Sequence, residues 1–130
     1  MGGKLMLKSV LTTLLAIILF FCASFFEQRY LKKTFNEFYQ IIEKTEIKLN
    51  GENPSNEDAE ALEIFWFEKK RKLHAIIPHN DVKEIDLWVS ECSAYTQKSM
   101  YDEAISKLQV LKTLAKQVPS ALIFKFENIF

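Results

Sequence analysis

Ser9 to Phe26 reads SVLTTLLAIILFFCASFF, and these 18 residues carry no charge. As a helix they reach roughly 27 Å, close to the ~30 Å hydrocarbon thickness of a bilayer. A slightly tilted helix with Lys8 snorkelling at one end spans it. Phe20, Phe21, Phe25 and Phe26 give the segment an apolar girth that a small soluble helix does not tolerate. The reading that follows is an uncleaved transmembrane anchor. A secretory signal is its rival, because Lys4 and Lys8 form a basic start ahead of an apolar run. The cleavage site is poor, since Cys22, Ala23 and Ser24 lead straight into Phe25 and Phe26. A lipidated Cys22 fits badly too: Phe20 and Phe21 stand where a small residue should precede it.

Orientation follows from the flanks. Lys4, Lys8 and the amino terminus oppose Arg29, Lys32 and Lys33, which nearly cancels the positive-inside bias. A very short N-terminal tail usually stays in the cytoplasm, so the expectation is a single-pass cell-membrane protein with its N-terminus cytoplasmic and its bulk outside. The domains expected are a short basic tail over residues 1–8, an anchor over 9–26, a helical bundle over 27–118 and an apolar tail over 119–130.

The rest of the 130-residue chain has room for one core. Three Gly and three Pro are too few for a β sandwich, and Leu, Ile, Lys, Glu, Phe and Ala suit helix. The fold class expected is all-α, the transmembrane helix continuing into an antiparallel bundle of about four helices. Net charge is zero, and with Lys4 and Lys8 set aside the 17 acids exceed the remaining 15 Lys and Arg. No basic excess recommends nucleic acid. Cys22 and Cys92 form neither a disulfide framework nor a CxxC site.

Four apolar stripes define the helices. Leu31, Phe35, Phe38, Ile42 and Leu49 continue at steps of three and four directly after the anchor, with no Gly or Pro between Gly3 and Gly51. One helix of about 45 residues, on the order of 68 Å, should therefore run from membrane to bundle, until Asn50-Gly51-Glu52-Asn53-Pro54 stops it. Ser55 or Asn56 can cap a second helix, with Glu57, Asp58 and Glu60 in its first turn. Its stripe is Leu62, Phe65, Trp66, Leu73, Ile76 and Ile77, and it should run to about Ile77, where Pro78 ends or kinks it. Asn80 suits the cap of a third helix bearing Val82, Ile85, Trp88, Val89, Cys92 and Tyr95. Ser99-Met100-Tyr101-Asp102 has capping-box form and should open a fourth, with Tyr101, Ala104, Ile105, Leu108, Leu111, Leu114, Ala115 and Val118 inward and Pro119 closing it.

Beyond Pro119, Leu122, Phe124, Phe126, Ile129 and Phe130 make the end more apolar than a free terminus. They either pack in a groove of their own bundle or contact a partner protein or the bilayer surface. Lys69, Lys70, Arg71 and Lys72 are candidates for lipid headgroup contact, although a solvated helix face accounts for them as well. His74 and His79, five apart, do not form an HExxH-type arrangement, and Asp81, Glu84 and Asp86 read as first-turn acids. No catalytic, metal or cofactor residues are assigned. Trp66, Trp88 and the phenylalanines read as core. Tyr95 and Tyr101 through Ile105 resemble part of a tetratricopeptide helix pair, but the glycine between the helices and any second 34-residue copy are absent, leaving a generic helical hairpin.

The short basic start, the single anchor, Leu73-His74, Trp88 and the ending Glu127-Asn128-Ile129-Phe130 together resemble a family of small membrane-anchored proteins of unknown function from clostridial-type bacteria. That resemblance implies location, shape and association with a larger membrane protein. The function expected is a non-enzymatic accessory or scaffold, with the bilayer and another membrane protein as partners. A tethered sensor or ligand-binding module is the first alternative, and a helical enzyme the second.

Overall fold

The computed structural model describes residues 2–129, and at 124–126 and 129 the backbone alone. The described residues form four α-helices and one 3-10 turn, without a strand. Helix α1 spans Gly2–Leu49 as one unbroken element of 48 residues. The 3-10 turn Asn56–Ala59 leads into α2 (Glu60–Leu73), followed by α3 (His79–Gln97) and α4 (Tyr101–Ile129). The chain divides into two compact units at Tyr30 and Leu31.

The first unit is the apolar part of α1. Its uncharged run contains the one stretch among the described residues long and apolar enough to cross a membrane, and only 6% of it is buried. A core helix of a soluble protein would be mostly buried, so burial within the chain does not account for this composition. Thr12 and Thr13 each donate their hydroxyl to the carbonyl four residues back, at 2.8 and 2.9 Å, so neither leaves an unsatisfied donor on an otherwise apolar surface.

The second unit is the bundle, and the apolar stripes build its core. Leu31, Phe35, Phe38, Ile42 and Leu49 of α1 are all buried, as are Leu62, Trp66 and Leu73 of α2, Val82, Ile85, Val89 and Cys92 of α3, and Ala104, Leu108, Leu111, Ala115 and Val118 of α4. The aromatic centre joins α1 to α2: the Phe38 ring lies 5.8 Å from Phe65 in a stacked arrangement and 5.5 Å from Trp66. Thr45 and Thr96 are also buried, and each hydroxyl bonds back to the carbonyl four residues earlier, at 2.8 and 2.7 Å. That local bond lets a polar residue occupy a core position.

Several boundaries differ from the sequence expectation. Helix α2 ends at Leu73, and Ile76 and Ile77 both donate their N–H to the Leu73 carbonyl at 2.9 Å. Pro78 disfavours helical backbone at the residue before it, so a tight turn closes ahead of the proline. Pro78 itself, with φ −56° and ψ 143°, takes the N-cap position of α3, ahead of Asn80. Ser55 precedes the 3-10 turn, its N–H bonded to the Asp58 carboxylate at 2.8 Å.

Ser99 closes α3 instead of opening α4. Its φ is +59°, its N–H reaches the Thr96 carbonyl at 3.0 Å, and the Met100 N–H reaches Tyr95 at 2.9 Å. These two bonds are a Schellman termination, and they commit Ser99 to the left-handed region before it can act as a capping box. The Met100 carbonyl then accepts the Ala104 N–H at 3.1 Å and begins α4. Pro119 does not end that helix, which continues to Ile129. A helical proline forfeits one backbone bond, to the carbonyl four residues back at Ala115. Pro119 and its neighbour Val118 are buried, and that packing offsets part of the cost of the missing bond.

Candidate functional site

The polar residues between the helices act mainly as ties. Glu46 of α1 is ion-paired to Lys112 of α4 and accepts the Gln109 amide at 2.6 Å. The Lys112 ammonium pKa is raised, chiefly by that bond to Glu46, against a smaller opposing effect of burial. Asp86 of α3 accepts the Trp66 indole N–H at 2.5 Å and pairs with Lys70 at 2.5 Å, which fixes α2 to α3. Glu63 accepts the Ser93 hydroxyl at 2.9 Å. Lys107 of α4 pairs with Glu91 at 3.4 Å and lies over the rings of Trp88 and Tyr95, 5.0 and 5.7 Å from their centroids. Trp88 and Tyr95 are accordingly half-buried platforms at the α3–α4 seam, and not fully enclosed core.

The basic run divides along the helix. Lys69 folds back over Phe65 and Lys70 is engaged by Asp86, whereas Arg71 and Lys72 are exposed. His74 and His79, separated by the α2–α3 turn, bring their ring centroids to 5.0 Å with both residues exposed. No group of three or more His, Cys, Asp or Glu among the described residues is arranged to hold a metal ion. Of the apolar tail, Leu122 is half-buried; the side chains of Phe124, Phe126 and Ile129, and all of Phe130, lie outside the described residues.

One concavity combines volume with chemistry. A groove of about 530 Å³ runs between α1 and α4, lined by Lys32, Phe35, Asn36 and Tyr39 on one side and Ala115, Lys116, Pro119, Ser120 and Ile123 on the other. Helical spacing explains both walls: positions 32, 35, 36 and 39 share one face of α1, and 115, 116, 119, 120 and 123 share one face of α4. Phe35, Ala115 and Pro119 form a buried apolar floor. Lys32, Asn36, Lys116 and Ser120 stand exposed at the rim, and no carboxylate lines the groove among the described residues. The Lys116 ammonium lies 4.9 Å from the Tyr39 ring centroid. Sequence reasoning missed this site because it ended the helix at Pro119. The available signal was the continued four-residue spacing of Ala115, Pro119 and Ile123.

Residues 25–129 match the family described as a domain of unknown function, DUF4363. That match takes in nearly the whole bundle and most of the chain, and the protein belongs to this family. No curated protein and no solved structure matches it.

Proposed function

We propose that this chain is a non-enzymatic accessory or scaffold protein of a clostridial-type bacterial cell membrane, anchored through residues 9–26, whose helical bundle docks another membrane protein. The observation that carries the reading is α1 itself. One helix, Gly2–Leu49, holds both the exposed apolar run and the stripe from Leu31 to Leu49 at the centre of the bundle. A segment of that composition is stable when lipid covers it.

Docking is supported by large apolar side chains that the bundle leaves outside, Ile47, Ile64, Phe67 and Leu87, each at least half exposed. The non-enzymatic reading is supported by what the interhelical carboxylates do: Glu46, Glu63, Asp86 and Glu91 each hold a neighbouring helix. In the orientation proposed, Lys4 and Lys8 lie on the cytoplasmic side, where anionic headgroups attract them, and the bundle lies outside. A tethered ligand-binding module is the second reading, favoured by the α1–α4 groove.

Purification of the full chain from its own membranes in mild detergent tests the scaffold. A stoichiometric membrane protein should co-elute, and retention should fall when Phe67→Asp and Ile64→Asp are combined. A chain that elutes alone and intact refutes docking. An active C-terminal alkaline-phosphatase fusion is expected for the proposed orientation, and an inactive but well-expressed one reverses it.

A further inference from the structure

We propose that the α1–α4 groove binds the headgroup of an anionic phospholipid, with the ammonium groups of Lys32 and Lys116 as the phosphate donors. Lys32 is exposed and makes no ion pair among the described residues. The Lys116 ammonium lies over the face of Tyr39 and makes no ion pair among the described residues. The contrast with Lys112, one helical turn earlier, is informative: that lysine is neutralised by Glu46, whereas the two groove lysines are not. Two unneutralised cations beside the exposed Asn36 amide, with no acid among the described lining residues, are complementary to an anion rich in acceptor oxygens.

The floor decides which anion. Phe35, Ala115 and Pro119 present buried carbon beneath the lysines, a surface suited to glycerol and the first methylenes of an acyl chain and not to a hydrated free ion. The volume of about 530 Å³ fits a headgroup with the start of its chains. Lys32 follows Phe26, the last residue of the uncharged run, by six positions in the same helix. The inference rests on the anchor proposed above for residues 9–26, which brings the chain to a bilayer and so within reach of its lipid headgroups.

The test uses the full chain in neutral detergent, with lipid retention read by native mass spectrometry during titration with phosphatidylglycerol or phosphatidylcholine. One phosphatidylglycerol should be retained in preference to phosphatidylcholine. Lys32→Gln and Lys116→Gln should each weaken that preference roughly fivefold. Asn36→Trp, which fills the groove from its exposed rim, should abolish it with the circular dichroism unchanged. Lys69→Gln combined with Lys72→Gln should leave it intact. Absence of a preference in the unaltered chain overturns the proposal, as does equal loss in the Lys69/Lys72 variant. Displacement of the lipid by excess glycerol phosphate would show that the groove takes free phosphate, and overturns it also. Flotation with pure phosphatidylcholine vesicles separates the two readings: failure to float refutes the anchor, whereas flotation without phosphatidylglycerol preference refutes the groove alone.

Discussion

The Cys92 thiol is fully enclosed on α3, and its environment sets a measurable pH dependence. Burial, which disfavours the thiolate, pushes its pKa up to about 11; the Thr96 hydrogen bond opposes this weakly, and the Glu63 charge adds to it. A group whose pKa is raised by folding contributes stability that is complete below its unfolded value, near 9, and is lost as pH rises towards the folded value. Relative to Cys92→Ala, the unaltered chain should therefore lose on the order of 2 kcal/mol between pH 9 and pH 11. Urea unfolding of both proteins in neutral detergent measures this, and parallel stability curves would refute it. Ser99 offers a second test at the same scale. It holds φ +59° where a Schellman turn favours glycine. Ser99→Gly should raise stability by about 1 kcal/mol, seen as a melting temperature a few degrees higher, because the strain of a side chain in the left-handed region is removed.

Among the elements, α4 shows where local signals yield to packing. Its proline forfeits a backbone bond inside a 29-residue helix. Pro119→Ala restores that N–H, worth about 3 kcal/mol in helix propensity, and loses roughly two buried methylenes, about 1.6 kcal/mol. A net gain of about 1 kcal/mol is expected; a lower melting temperature would mean that the ring's contacts at the groove floor outweigh the helix. The apolar stripes of all four helices were legible in the sequence because spacing of three and four records which face is buried, whatever the partner. Leu31 to Leu49 of α1 needed no knowledge of α2 to be recognised. The ends were less legible, since Ser99 can cap α4 or close α3 with equal local chemistry, and the choice depends on how the α3–α4 pair closes. Nor could spacing reveal the groove: Lys32 and Lys116 are 84 positions apart, and only the packing of α1 on α4 makes them neighbours.

For the whole molecule, the distribution of burial says which part of the chain folds the rest. Every buried hydrophobic residue identified, from Leu31 to Val118, belongs to the second unit, and none belongs to the run from Ser9 to Phe26. The bundle's aromatic centre and its ties through Glu46, Asp86 and Glu91 lie within it as well. Deleting residues 1–26 thus removes apolar surface that the chain exposes, without opening a cavity in the core. The fragment 27–130 is expected to be a soluble, strongly helical protein that unfolds cooperatively in urea. The full chain should require detergent or lipid to stay dispersed, since it displays Leu14, Leu15, Ile18, Leu19, Phe25 and Phe26 at half exposure or more. Circular dichroism and sedimentation of both forms check this pair of expectations together. A fragment that is disordered, or helical only in micelles, would show that the core is completed from outside the bundle, and a full chain that remains monomeric in buffer without detergent would remove the case for the anchor.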